Sequence, residues 1–423
     1  MKKQIMERFS NGNTNLTEGV NRIINTVRQC GDQALREYTL QFDQVILTDL
    51  QVSEQEWGVS EDLAEKYQLA IRKAYGNILR FHQAQYPQPV ISNNNGIILR
   101  KEFRAIESVG LYIPAGTAPL VSTLLMLAIP ARIAGCKRVV VVTPPSAGQV
   151  NPAILFAARI CGISEVYKVG GAQAIAALAY GTESIQRVAK IFGPGNQYVT
   201  EAKKIVASDP AGAALDMPAG PSEVMIIADE NANPEFVAAD LLAQAEHDSL
   251  AQCMLVTTSQ ALAERVSLQL DIQSRQLSRK TILLNALKSC RILICRDIAG
   301  CIQLANEYAP EHLIINTLNA ELLSAEISNA GSVFIGAWTP EALGDYASGA
   351  NHVLPTYGYA RAYSGLGVES FMKSITFQQA KPEGLLELAS CVETLAELEG
   401  LDGHKNSVLL RRVYLEKGMR NVD

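Results

Sequence analysis

From Cys136 onward the chain alternates short apolar, β-branched runs with stretches of helical periodicity, and that alternation limits the folds open to it. Arg138-Val-Val-Val-Val-Thr143 reads as a buried strand bounded by a Pro-Pro pair, residues 151–160 as a helix, and 165–169 as the next strand. Strand-like runs recur at 187–192, 223–228, 253–257, 291–295, 312–316 and 332–335. Helical segments at 172–180, 196–207, 233–247 and 259–276 separate most of them. Strands alternating with helices predict an α/β fold with largely parallel sheets. So many units predict two open sheets of incomplete Rossmann-like topology. The segment up to about Tyr86 reads as helical, and so does the segment from about Ser364, which is expected to form a helical C-terminal arm. The expected division is a main α/β domain of residues 1–113 plus 225–362, a second α/β domain of 114–224, and the arm, 363–423.

A chain of 423 residues with 48% hydrophobic residues can bury more than one core. Its net charge of −6 argues against a nucleic-acid partner, which calls for a basic face. The apolar stretch Pro119–Pro130 contains Ser122 and Thr123 and is too short to span a bilayer. The N-terminal residues lack the apolar run of a secretory signal, and the eight cysteines are scattered without a C-x-x-C pair. Together these predict a cytoplasmic protein with reduced thiols. Cys136 and Cys161 read as small hydrophobes rather than as nucleophiles.

With five histidines, a metal or acid–base site has few candidates. Gln244-Ala-Glu-His247 closes a predicted helix, with Gln244 and His247 three apart on one face. That spacing suits half of a metal site, and equally a polar helix end where an imidazolium meets the carbonyl dipole. Glu311 and His312 precede the run 313–316, and adjacent Glu and His either divide acid–base work or form a loop ion pair. Asp345, in Gly344-Asp-Tyr-Ala-Ser-Gly349, offers a metal a carboxylate oxygen or makes a local turn. His352 is open to a ligand, substrate or purely structural role, and His404 precedes an amphipathic helix as a ligand or a helix-start residue. Two glycine turns, Gly170-Gly-Ala-Gln173 and Gly193-Pro-Gly-Asn196, each follow a strand and feed a helix, the arrangement that binds anions. The second reads G-x-G-x-x-Y with Tyr198 in the last place, a weak dinucleotide fingerprint.

In order along the chain, these segments resemble the histidinol dehydrogenase family. The resemblance is carried by GLYIPAGTAPL (110–120), VGGAQAIAALAYGTES (169–184), IFGPGNQYVTEAK (191–203) and DMPAGPSEV (216–224). It continues through QAEH (244–247), PEHL (310–313), GDYASGANHVLPTYG (344–358) and GHKN (403–406). The family pattern departs only at Ala115, where a second glycine is frequent. The resemblance implies an NAD-dependent, four-electron oxidation of L-histidinol to L-histidine through the aldehyde. It implies one zinc ion per subunit on Gln244, His247, Asp345 and His404. Glu311 would activate water and His312 would act as general base. Ser222, His352 and Glu399 would contact substrate, together with Gln244, His247, His312, Asp345 and His404. Tyr112, Gln173 and Asn196 would contact NAD. It further implies a homodimer in which the C-terminal segment, with His404, reaches the partner's site. Two other readings are open: a relative of the same fold that oxidises another small alcohol, which would alter His352 and Glu399, and a different class, either a zinc hydrolase, which would not need the glycine turns, or a non-catalytic metal-binding protein.

Overall fold

The computed structural model describes Arg8 and residues 14–115, 119–218 and 220–419. The chain forms two compact units, one of residues 1–85 and 106–371, the other of 86–105 and 372–423.

The first unit opens with helices α1 (Thr14–Asp43), α2 (Glu54–Val59) and α3 (Glu65–Gln83). A capping box starts α2: the Ser53 hydroxyl accepts from the Glu56 N–H, and the Glu56 carboxylate accepts from the Ser53 N–H. The chain then leaves for the other unit as β1 (Val90–Asn94) and β2 (Ile97–Ala105), and returns as β3 (Ser108–Tyr112) and α4 (Val121–Ala134). Helix α4 is apolar nearly all round and accordingly buried on most of its surface. β4 (Arg138–Val142), α5 (Pro152–Ile160), β5 (Glu165–Tyr167), α6 (Gly171–Tyr180), β6 (Lys190–Phe192), α7 (Gln197–Ser208) and β7 (Ala214–Leu215) complete a first sheet. It is parallel throughout, in the order β5-β4-β3-β6-β7.

The second sheet comes from β8 (Glu223–Ala228), α8 (Pro234–Ala245), β9 (Gln252–Thr257), α9 (Gln260–Ser274), α10 (Lys280–Leu287) and β10 (Arg291–Ile294). α11 (Ile298–Tyr308), β11 (His312–Asn316), α12 (Ala320–Ser324), β12 (Ser332–Ile335) and α13 (Glu341–Tyr346) follow. Its order is β10-β9-β8-β11-β12, again all parallel. Numbered from its own first strand, each sheet runs 3-2-1-4-5, so the predicted incomplete Rossmann-like pattern occurs twice. Every residue of β8, β9 and β11 is buried, as helices on both faces require. Val224, Ile226 and Ile314 pack with α8 and α9 on one face, while Met225, Ile227, Leu313 and Ile315 pack with α11 on the other. The period-two alternation of the strand thereby builds two cores from one run.

The second unit contains a three-stranded antiparallel sheet, β1-β2-β13, with β13 spanning Met372–Ala380, and helices α14 (Pro382–Leu398) and α15 (Asp402–Met419). The C-terminal helices match expectation, but β13 corrects the reading of everything beyond Ser364 as helical. All of β1 and most of β2 and β13 are partly or fully exposed, so they lack the apolar run that marks a buried strand. Asn95 and Gly96, with φ of +45° and +81°, make the tight turn between β1 and β2. Arg412 pairs with both oxygens of Glu393 and fastens α15 to α14. No helix among the described residues is long and apolar enough to cross a membrane.

Candidate active site

Strands β8 and β11 are neighbours, with His312 in register with Val224. Their amino ends therefore bring Ser222 and Glu223 beside Glu311 and His312. The Glu223 N–H donates to Glu311 Oε2 at 2.8 Å, and the Glu223 carbonyl lies 3.2 Å from His312 Nδ1. That carbonyl can only accept, so it selects the tautomer with a proton on Nδ1. Helix α13 supplies two carboxylates one turn apart, Glu341 and Asp345. Glu341 Oε1 stands 3.6 Å from His312 Nδ1, and Asp345 Oδ1 stands 3.5 Å from Nε2. Among the described residues, His312, Glu341 and Asp345 present donor atoms within 4.8 Å of one another, a spacing that could hold a metal ion.

Gln244 lies in the last turn of α8, which packs against α13. It is 0% exposed, and both of its amide heteroatoms lack a hydrogen-bond partner, as do His312 Nε2 and Glu341 Oε2. Buried polar atoms left unpaired cost free energy, and those of Gln244, His312 and Glu341 are free to engage a ligand or a water. α8 ends at Ala245, which puts His247 in the turn just beyond the helix rather than within it, at an exposed position.

The electrostatics follow from burying several acids around one imidazole. Burial raises the Glu311 carboxyl to about 8, with His312 opposing the rise. Glu341 is raised to about 8 for the same reason. Burial works against a charged His312, yet Glu341, Glu311 and Asp345 outweigh it and hold the imidazole well above its usual range. Burial also opposes ionisation of Asp345, but His312, His352 and His247 hold that carboxyl below its usual value. His247 keeps an exposed surface as a residue, yet the protein packed around its ring lowers it, with Asp345 pulling the other way. Asp345 is thus faced by three imidazoles. His352 Nδ1 lies 2.9 Å from the Asp345 carbonyl, and Nε2 lies 2.9 Å from Thr123 Oγ1 on α4. It braces the helix that carries Asp345.

A second group of polar residues lies at the carboxyl ends of β3 and β6, where the strand order of the first sheet reverses. The Tyr112 hydroxyl accepts from the Gly171 N–H at 3.1 Å. Gln173 is 1% exposed, with Oε1 unpartnered. Asn196 caps α7, its Oδ1 accepting from the N–H groups of Tyr198 and Val199. Gly193 has φ of +116°, and a Cβ there would come 2.2 Å from the Tyr112 carbonyl oxygen, so no other residue fits that turn. The buried pair Lys203 and Asp216 holds the same glycine: Lys203 Nζ donates to the Gly193 carbonyl at 2.9 Å, and Asp216 Oδ2 accepts from the Gly193 N–H at 2.8 Å.

The first unit therefore gathers Ser222, Gln244, His247, Glu311, His312, Asp345 and His352 at one sheet edge, and Tyr112, Gln173 and Asn196 at another. Glu399 and His404 belong to the second unit, where Glu399 caps α14, His404 starts α15, and both are exposed. Sequence reasoning passed over Glu341, although Glu341 and Asp345 form an i, i+4 carboxylate pair.

The histidinol dehydrogenase family model matches residues 6–412. Histidinol dehydrogenase of Aliivibrio fischeri is 51% identical over 399 residues, covering 94% of this chain and 90% of the relative. That of Shigella dysenteriae is 51% identical over 398 residues, covering 94% and 91%. The crystal structure of histidinol dehydrogenase from Elizabethkingia anophelis superposes with a TM-score of 0.95 at 45% identity, covering 98% of this chain and 96% of that one. With its duplicated parallel sheets, its buried acid–base cluster and these relatives, the chain belongs to the histidinol dehydrogenase family.

Proposed function

We propose that the protein oxidises L-histidinol to L-histidine with two molecules of NAD, by way of histidinaldehyde. The observation that carries this reading is the buried group of Glu311, His312 and Asp345 beside Gln244, whose amide has no partner in the protein. The donor set of Gln244, His247 and Asp345, completed by His404, suits a zinc ion, whose role when bound would be to grip the substrate's imidazole and amine and to orient it.

The chain's own groups account for the proton movements. His312 takes the alcohol proton at Nε2, while its Nδ1–H rests on the Glu223 carbonyl. In the carboxylate-rich cluster His312 favours the imidazolium; the positive charge that a bound cation would supply beside Asp345 would favour the neutral base that this step needs. Hydride leaves the carbinol carbon for NAD, and the aldehyde remains bound. Glu311, once ionised, removes a proton from water as its oxygen adds to the aldehyde carbon. The hydrate anion so formed would give a second hydride to a second NAD, and the carboxylic acid left behind would lose its remaining proton to solvent to become the carboxylate. Ser222, His352 and Glu399 are assigned to substrate contacts. Tyr112, Gln173 and Asn196 are assigned to NAD, for which the N-terminus of α6 offers its positive dipole end to a pyrophosphate. Asn196 Oδ1 is already engaged as a cap, so the NH2 group is what it can offer. Exposed Leu388, Val392, Leu395 and Leu398 on α14 and Leu410 and Tyr414 on α15 offer an apolar surface to a second copy of the chain, which supports the homodimer; bringing His404 to the partner's site, and a cytoplasmic location, are part of the same proposal. The test is NADH absorbance with purified protein, NAD and L-histidinol. Two NADH per histidinol consumed is the expected result; no NADH, or only one, overturns the reading.

A further inference from the structure

Both proton-moving residues hang on the main chain of one residue, Glu223. The Glu223 N–H holds the Glu311 carboxylate, and the Glu223 carbonyl faces His312 Nδ1. The side chain of this same residue points the other way, is 0% exposed, and is gripped by Arg8. Arg8 Nε donates to Glu223 Oε1 at 2.5 Å and Nη2 to Oε2 at 3.0 Å, a two-pronged pairing that fixes orientation as well as distance. The Tyr357 N–H donates to the same Oε1 at 3.2 Å.

Arg8 also reaches the other chain segment that enters the site. Its Nη2 donates to the Tyr308 carbonyl at 2.7 Å, and the guanidinium lies 3.8 Å over the Tyr308 ring. Tyr308 ends α11, three residues before Glu311, and in turn donates its hydroxyl to Gln252, which is in register with Glu223 on β9. Between them, Ala309 adopts φ of +52°, a left-handed backbone that a non-glycine residue keeps only when its surroundings impose it. Arg8 thus clamps the start of β8 to the exit of α11, the two segments whose relative position sets how the Glu223 main chain meets Glu311 and His312. A buried ion pair contributes little net stability compared with apolar packing, whereas its two-pronged geometry fixes the position of both chain segments.

We propose that Arg8 and Glu223 are positioning residues for the reaction: touching no substrate, they hold Glu311 and His312 in productive register through the main chain of Glu223. This inference rests on the roles given above to Glu311 and His312. The test uses full-length holoenzyme carrying Arg8→Met, Arg8→Lys, Glu311→Gln and the pair Arg8→Met with Glu311→Gln. Arg8→Met should lower kcat for histidinaldehyde oxidation roughly tenfold to a hundredfold, the scale of a small misplacement of reacting groups, with KM changed less than about threefold. Arg8→Lys, which keeps the charge but loses the fork, should recover part of kcat. On the Glu311→Gln background, Arg8→Met should cost far less than on the wild type, because the residue it positions is gone. Arg8→Met with Glu223→Gln removes both charges; it should fold where Arg8→Met alone does not, and show the same loss of kcat. Wild-type kcat per folded enzyme in either Arg8→Met variant, with only the melting temperature lowered, overturns the proposal. Losses that multiply fully with those of Glu311→Gln also overturn it. If Glu311→Gln itself has wild-type kcat, the assigned role of Glu311 fails, a result that the kcat of Arg8→Met alone cannot produce.

Discussion

The two five-stranded sheets share one strand order but work from opposite edges. The first sets its glycine turns at the carboxyl ends of β3 and β6; the second gathers its acids and imidazoles at the amino ends of β8 and β11. In a parallel sheet each helix runs against its strands. Helix N-termini therefore crowd the carboxyl edge, as α6 and α7 do, and helix C-termini crowd the amino edge, as α8 and α11 do. Free N–H groups and a positive dipole end favour a phosphate; carbonyls and a negative end favour an imidazolium or a metal ion. Their polar groups differ in the same sense. At the carboxyl edge Tyr112 and Asn196 already hold backbone donors and Gln173 Oε1 alone of that group is unpaired, whereas at the amino edge Gln244, Glu341 and His312 together leave four buried heteroatoms unpaired. One topology thus presents two kinds of edge, one rich in helix N-termini and one rich in acids and imidazoles.

The largest effects are expected at the amino edge. His312→Asn should slow both hydride transfers, and Glu311→Gln mainly the aldehyde step, each by about 10²–10⁴-fold. Transient NADH formation from histidinol and from histidinaldehyde separates the two; equal losses on both substrates for Glu311→Gln would remove its role with water. Because burial raises Glu311 to about 8 and only its ionised form accepts a proton, aldehyde oxidation should rise as pH passes through about 8. Glu311→Gln should flatten that rise.

Next in size is the sharing of sites between two chains. His247→Ala and His404→Ala homodimers should each be inactive. In a mixed dimer one site collects both changes and the other none, so random pairing should return about a quarter of wild-type activity by two-fold symmetry. A mixed dimer as inactive as its parents would show that His404 serves its own chain.

At the carboxyl edge, Gly193→Ala should raise KM for NAD by about tenfold, since it forces a strained turn against Tyr112. KM for histidinol and the zinc content should stay as they are. Loss of zinc without loss of NAD affinity would contradict the division between edges.

The smallest effect concerns Asp240, which lies in α8 one turn before Gln244. Burial raises this carboxyl from 3.8 to about 7, so the folded state binds a proton that the unfolded state has released. Stability therefore falls as pH rises between those values, and the cost is complete above about 7. Asp240→Asn should raise the melting temperature by a few degrees at pH 8, about 2–4 °C per kcal/mol at most, and by less at pH 5. A gain independent of pH would show that ionisation is not the cause.

The buried parallel strands were legible because burial on both faces writes a continuous apolar run: 312–316 and 332–335 match β11 and β12 to the residue, and 223–228 matches β8. β3 escaped because Gly110 interrupts it, where a Cβ would collide with Leu178. The antiparallel sheet escaped because its strands are exposed, although Asn95-Gly96 is a hairpin signal that was there to be read. Gln244, Glu311, His312 and Asp345 stood out as short motifs, but their alternatives were settled in sequence only by family resemblance. Glu341 lies on a six-residue helix too short to declare a face. Arg8 meets Glu223 across 215 positions, and nothing local in either residue announces that pairing.

The division of labour between the edges is tested most directly by diffraction at the zinc absorption edge from crystals grown with zinc and NAD. The account predicts one anomalous peak per subunit among Gln244, His247 and Asp345, at the amino edge of the second sheet. It predicts the NAD pyrophosphate over Gly170–Gln173 and Gly193–Asn196, at the carboxyl edge of the first. A pyrophosphate seated beside Glu311 and His312, or a zinc peak away from Asp345, would contradict it.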